Sequence, residues 1–587
     1  MRTNRLVCRF TLCLLSLCLS GWSLATTATA ATIVVTTNQD VIDSPFTTAN
    51  FCGSGTVANL PGADGKVSLR EAIIATNNTP GQQTIKFAPS LNGNTIALTA
   101  SLGSLFLCGG HTTLNGDING DDTPDVTVDG TAAVTFFDVI NVVSSHNTVK
   151  NLHVLVPPPT FFIPAGISVS NLLTPSVTDN VIVHNLVSGG PIAVVTGLDP
   201  NKHVQHAVSV KHTLVRDNTT TGILTIILGD HNAITDLAMT HNTVSGVSLS
   251  PPFNIPAIFV VGGRQNPFDP TDPGASDNQL DVTITDNTVT GNSNPHDTAG
   301  IGILGGLSSS SRNHVTAQVR NNTITDNDGR AIFAGAGVVG GSDNHLDVTT
   351  SNNIIKCNST PGDTVGIAID GGVLSSGNHI EAAVLNNTIT DNIGIGIGVG
   401  AGINNSSHND VEVAIRDNTL ENNGPGILTF GGIGAAFGLP SGDSSGNSLD
   451  ARIVHNTVKN ALGFGIFGYG GVGSFDGTAG KTANNNELDI VMSNNTITGT
   501  IGEGIHLEAG STGLASNNEV EIRVRKNTVC GSAAADIDAL GGAPSNQGTG
   551  NKVEGEIRKN TATTVVVDNG VAGNVAQVAQ SKNVACQ

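Results

Sequence analysis

An all-β solenoid, the right-handed parallel β-helix, is the fold this 587-residue sequence predicts, and three observations predict it. A ten-residue block, Asn-x-φ-x-φ-x-φ-x-x-Asn with φ usually aliphatic, recurs nine times. Successive blocks start 31 to 39 residues apart, yet the block itself never changes length. Glycine is abundant (72 residues), while aromatic residues make up 3% and charged residues 12%, against about 25% charged in ordinary soluble proteins. The glycines follow no period of three, which excludes a collagen. A hydrophobic content of 38% excludes an ordinary disordered chain.

The N-terminus reads as an address. Arg2, Arg5 and Arg9 precede a largely apolar stretch from Phe10 to Leu24, and Ala28-Thr29-Ala30 is a small-residue cleavage signal. Residues 1–30 are therefore expected to be a signal peptide cleaved near Ala30, and the protein to be secreted, extracellular or at the cell surface. No other stretch approaches 18 apolar residues, so no integral membrane segment is expected in the mature chain. Losing three arginines from 26 basic residues leaves 23 against 47 acidic ones. Such an acidic surface repels nucleic acid, which is excluded as a partner. The remaining cysteines (Cys52, Cys108, Cys357, Cys530, Cys586) are too few for a disulfide scaffold and lack zinc-ligand spacing. An oxidising compartment allows Cys52–Cys108 and Cys530–Cys586 pairs.

Residues 31–130 are expected to form an N-terminal cap with the first strands. Ser68 and Glu71 make a capping box that starts a short helix, with Leu69, Ala72, Ile73 and Thr76 on one face, suited to lid an open core.

Residues 131–565 are expected to be the repeats. The first asparagines run from Asn278 to Asn551 and the second, nine residues later, from Asn287 to Asn560, with degenerate copies around Asn180, Asn218 and Asn242. Within a block the apolar residues alternate, as in Leu280, Val282 and Ile284, and period two means strand. A short apolar segment such as Thr323-Ile324-Thr325 follows. Then come a Gly-Ile-x-φ stretch (Gly366 to Ile369; Gly504-Ile505-His506-Leu507) and usually a Gly pair such as Gly371-Gly372. Each repeat thus holds three short strands separated by turns. Only stacking buries their apolar sides, and parallel crossovers favour the right hand. About thirteen coils would make a rod roughly 60 Å long. Stacked Asn amides form ladders, and Asn tolerates left-handed corners. A third, partial ladder is expected at Asn292, Asn327, Asn358, Asn392 and Asn423. A position repeated in every coil reads as structural, whereas catalysis needs one special coil. Residues 566–587 are expected to be a C-terminal cap or tail.

The run Ser68 to Ile73 (SLREAI), followed by Thr84 to Phe87 (TIKF) and Thr127 to Gly130 (TVDG), resembles secreted bacterial β-helix proteins with a Cys-Ser-Leu-Arg-Glu-Ala N-terminal motif. That resemblance implies a right-handed β-helix of the pectate-lyase-like type, exported and often at the cell surface. It implies no catalytic residue. Val67 stands where the family has Cys, which points to Cys108 as the alternative partner of Cys52.

Three constellations are candidate sites. Three residues after each first Asn stand Asp281, Thr316, Asp347, Glu381, Glu412, Asp450, Asp489, Glu521 and Glu554. Stacking aligns these carboxylates, and aligned like charges destabilise a sheet. Relief is expected from Arg320, Arg416, Arg525 and Arg558, from Arg452 and Arg523, or from Ca²⁺ bound by carboxylate oxygens; the alternative is a solvated acidic face. The second candidate calcium site is Asp117, Asn119, Asp121 and Asp125, spaced like the start of an EF-hand loop but with Asp122 at the usual Gly and Val128 at the closing position. Third, Asn294-Pro295-His296-Asp297 resembles the Asp-Pro-His-Asp motif of β-helix alginate epimerases, with His296 and Asp297 as the catalytic candidates. Its preceding aromatic residue is missing. His314, His345, His379 and His408 read as exposed turn residues. Without tryptophan after cleavage, and with Tyr469 alone, a strong stacking grip on sugar rings is not expected.

The resulting expectation is an exported, non-catalytic solenoid with a structural, adhesive or surface-interaction role. Ca²⁺ is its candidate stabiliser, a polysaccharide or cell-surface component its partner, and monomer its state. The alternative is a carbohydrate-active enzyme of pectate-lyase-like class, a lyase or epimerase acting on acidic polysaccharide.

Overall fold

The computed structural model describes residues 30–48, 50–132, 138–158, 164–199, 203–246, 255–266, 274–358, 365–434, 442–474 and 481–587, without the side chains of residues 295–297. All but the last residue of the expected signal segment lies outside them. No helix among the described residues is long and apolar enough to cross a membrane.

Period-two alternation produces a right-handed parallel β-helix with three strands per coil. The first face carries the seven-residue strands of the Asn block: His345–Ser351 pairs in register with His314–Arg320 below and His379–Leu385 above. The second face carries three-residue strands such as Thr323–Thr325 and Ile354–Lys356. The third carries the Gly-Ile stretches, such as Val365–Val373 beside Ile395–Ile403. One apolar core follows from this register: Leu346, Ile355, Ile367 and Ile369 are fully buried, and their equivalents continue along the rod until the last coil, whose strands Val565–Asp568 and Val575–Ser581 bury no residue. Burying each such side chain contributes roughly 1.5–3 kcal/mol, which no isolated coil could collect.

The stack is longer than the thirteen coils expected. Among the described residues the first face has 19 strands, and two rungs (176–183 and 209–216) are each split into two of them, so seventeen rungs run from Ala31–Val35 to Val575–Ser581. The extra rungs at the N-terminal end lack the Asn block, so its count missed them. The C-terminal rung lies in residues read as a tail.

The asparagines form ladders as expected. In the first, Asn344 Nδ2 donates to Asn378 Oδ1 (3.1 Å) and Asn378 Nδ2 to Asn409 Oδ1 (2.9 Å). In the second, Asn353, Asn387 and Asn418 link at 2.9 and 3.0 Å. The third links Asn292, Asn327, Asn358, Asn392 and Asn423. Asn185, rather than Asn180, is the earlier member of the second ladder. The left-handed corner is not taken by the ladder residue. It falls on the residue before it, such as Asp286, Asn321 and Asn352 (φ 55 to 57°), which frees each amide to point along the rod. Ladder packing also explains much of the glycine: a Cβ on Gly372 or Gly471 would lie 2.5 Å from the amide of Asn409 or Asn518.

Helix Leu69–Asn77 starts at Ser68 with the expected capping box. Leu69, Ala72 and Ile73 join the rod's core and close it. Arg70 is locked by both oxygens of buried Asp40 (2.7 and 2.9 Å) and by the carbonyls of Leu102, Gly103 and Ser104. Glu71 accepts from the amides of Asp43 and Ser68. The SLREAI residues thus tie the cap to the first coils. Cys52–Cys108 and Cys530–Cys586 are both bonded, one near each end of the rod, and Cys357 is free and exposed.

Several aromatic residues lie on the outer side of the third face, where Leu428, Phe430, Phe467 and Tyr469 form a second buried cluster with Phe464 packed against it.

Candidate functional site

Two regions collect titratable side chains. The first is the acidic column. Strand register places Asp347 beside Glu381, Glu381 beside Glu412, Glu412 beside Asp450, Asp450 beside Asp489, and Asp489 beside Glu521. The column is solvent-facing, with Glu381, Glu412 and Asp450 exposed. A shallow groove of about 470 Å³ runs over it from Thr316 to Asp450 and Arg452.

Relief of the like charges is local and uneven. Arg523 donates to Glu521 at 2.5 Å, two residues along, as expected. Lys552 pairs with Glu554. Arg525 and Arg558 instead pair with Glu556, off the column. Asp489 keeps a carboxyl held above its ordinary value, by partial burial and then by Glu521, Glu487 and Asp450, with Arg523 offsetting part of it.

Histidines supply polar partners to the column that sequence reasoning missed. His314, His345 and His379 begin their strands and do not sit in turns. Their rings stack 4.8 and 4.9 Å apart. His345 Nε2 lies 2.8 Å from Asp347, His314 Nε2 3.5 Å from it, and His379 Nε2 3.6 Å from Glu381. Two groups, His314–His345–Asp347 and His345–His379–Glu381, bring ligand atoms within 4.8 Å of one another. His408, with φ 55°, does occupy a turn.

The Asp117 loop turns its side chains onto its own backbone. Asp125 accepts from the amides of Ile118 and Asn119, Asp117 from Gly120 and Asp122, and Asp121 from Thr123. Asn119 Nδ2 donates to Asp121 at 3.1 Å. The side chains of His296 and Asp297 lie outside the described ones; their backbone belongs to strand Ser293–Leu307.

The second region is one the sequence reading passed over. On the outer side of the third face, register aligns Phe467 with His506 and His506 with Asp538, and Tyr469 with Glu508. His506, Glu508 and Asp538 are only 7%, 3% and 8% exposed. His506 Nε2 donates to Glu508 Oε2 at 3.2 Å, and Nδ1 lies 3.2 Å from Asp538 Oδ2 without a well-directed hydrogen bond. Three rings, Phe464, Phe467 and Tyr469, stand 5.6 to 5.9 Å from the imidazole. Burial alone would lower the His506 pKa, but the close contacts and charges of Asp538 and Glu508 outweigh it and raise it to about 9. Burial, then the charges of Glu508 and Glu503, push the Tyr469 hydroxyl upward. Being buried, Tyr469 offers no platform for a sugar ring.

No protein-family model matches the chain, and no curated protein matches it. Among solved structures, it is similar to the catalytic unit of a thermostable GH87 α-1,3-glucanase from Streptomyces thermodiastaticus (13% identity, TM-score 0.33, covering 88% of this chain and 65% of that one). It is also similar to a mutant of the periplasmic alginate epimerase AlgG (9%, 0.28, 78% and 77%) and to the A-module of the mannuronan C-5 epimerase AlgE6 of Azotobacter vinelandii (11%, 0.23, 88% and 94%).

Proposed function

We propose that the chain is an exported surface solenoid whose first face is an extended, non-catalytic interaction surface, with divalent cations bridging its carboxylates to a polyanionic polysaccharide or cell-surface component. The observation that carries this reading is the unbroken register of carboxylates from Asp347 to Glu521, with an open groove over its Asp347 to Asp450 part. A polyanion meets repulsion there unless a hard cation with several oxygen ligands intervenes. The signal-like N-terminus and the resemblance to the Cys-Ser-Leu-Arg-Glu-Ala group support export. The test is binding of the full chain to polygalacturonate and alginate with excess Ca²⁺ and with chelator, alongside the melting temperature. Calcium-dependent binding and a raised Tm are expected; binding and Tm indifferent to calcium overturn the reading.

A second reading, a carbohydrate-active enzyme, is favoured by the break in the repeat at His506, where a buried imidazole meets buried carboxylates. A screen on acidic and neutral polysaccharides for unsaturated products or altered sugar configuration tests it.

A further inference from the structure

We propose that Glu503, His506 and Asp538 form a binding site for one borderline divalent transition metal, of the Zn²⁺ class, with Glu508 as the carboxylate that orients the imidazole. The inference goes beyond the interaction surface proposed above and rests on other residues.

Four observations converge. The ligand atoms of Glu503, His506 and Asp538 all lie within 4.8 Å of one another, a span one ion can bridge. His506 Nδ1 and Asp538 Oδ1 are buried and lack hydrogen-bond partners. Nδ1 faces the other oxygen of that carboxylate, Oδ2, at 3.2 Å, and a buried polar atom left unpaired is costly, so the carboxylate Oδ1 has a place for a further partner. The opposite ring nitrogen, Nε2, is bonded to Glu508 Oε2 at 3.2 Å, and Glu508 is itself fixed by the Ala543 amide on Oε1. That carboxylate–imidazole pair keeps a proton on Nε2, so a metal that displaces the Nδ1 proton finds its lone pair there, as around metal-ligating histidines generally. Finally, three carboxylates, two of them buried, surround one imidazole beside Phe464, Phe467 and Tyr469, and burying two negative charges favours a cation.

The donor set chooses the metal class. One imidazole nitrogen with two carboxylates suits zinc and its neighbours, whereas calcium takes six to eight oxygens. Three protein ligands leave a fourth tetrahedral position for water or another ligand. Binding displaces whatever proton Nδ1 carries, so affinity falls as pH falls.

The test uses the full chain, stripped with chelator, loaded with ZnCl₂, dialysed, and assayed for bound metal and melting temperature. One tightly held equivalent is expected in the native chain and in His345→Ala, which removes the first-face histidine group, and none in His506→Ala or Asp538→Asn. Glu508→Gln keeps the site and lowers affinity roughly 10–100-fold. Should the buried substitutions prevent folding, Glu503→Gln, at a half-exposed residue, carries the test, with weakened retention expected. Excess Ca²⁺ displaces none of the zinc, which separates this outcome from failure of the calcium-bridged surface. No retained metal in the native chain, equal retention in Asp538→Asn and Glu503→Gln, or loss only in His345→Ala overturns the proposal.

Discussion

The first face and the outer side of the third face are built on the same rungs, yet they use charge in opposite ways. On the first face each carboxylate repeats from coil to coil, stays wet, and finds a nearby His, Lys or Arg where one happens to stand. On the third face the outward positions are glycine, aliphatic or aromatic over many coils apart from the buried Asp370, then change within two rungs to His506, Glu508 and Asp538, all buried. Repetition explains itself by stacking. A buried departure from repetition has no such explanation, and that is where a discrete site is to be sought.

The largest expected effect tests that contrast directly. In metal-free protein, His506→Ala leaves buried carboxylates without their cation and costs about 3–5 kcal/mol, read from the urea midpoint. His345→Ala, on the wet column, stays within about 0.5 kcal/mol. Equal losses would erase the distinction between the faces. Next, Asn387→Ala removes an amide that donates to Thr350 O and Asn418 Oδ1 and accepts from Asn353. Its cost is about 2–3 kcal/mol, and Asn353→Ala and Asn418→Ala should match it, since one rung is like another. A spread of several kcal/mol among the three would show that the coils are not equivalent.

Smaller still is the effect of Asp489→Asn. Its folded carboxyl titrates above its unfolded value, so the ionised form is penalised in the fold. That penalty is present above the folded pKa and disappears as pH falls through it. Asp489→Asn therefore raises the Tm slightly at pH 7, by the equivalent of no more than about 0.5 kcal/mol, and the gain vanishes below about pH 4. A gain that grows on acidification would reverse the assigned sign. Smallest is Glu412→Gln, fully replaceable in calcium-free buffer, with no measurable change in midpoint.

Much of the fold was legible because stacking writes itself into sequence: the nine-residue Asn offset, the alternating aliphatics and the capping box each have one local cause. The column of carboxylates was legible for the same reason, since a fixed offset from Asn sets its register. The histidines were placed in turns because His314, His345 and His379 sit next to the ladder residue, and only the strand bounds show them aimed at Asp347 and Glu381. The buried site was hidden by its disguise. Gly504-Ile505-His506-Leu507 reads as another copy of the third strand, and Asp538 lies a full coil away behind Asp536, which replaces the glycine that marks that strand elsewhere. The N-terminal rungs escaped because their corners lack the Asn block.

The amide ladders all donate in one direction, toward the C-terminal coil, and the first ends at Asn574 with its Nδ2 buried and unused. Such a ladder is a one-dimensional lattice with a free end. A whole coil can be inserted or removed by duplication or deletion without changing any contact type, so the rod's length is adjustable in steps of about 4.8 Å. A site that occurs once, like the one at His506, then acquires an address: its distance from the N-terminal cap is set by how many coils lie between, and evolution can slide it along the axis as one moves a mark on a ruler.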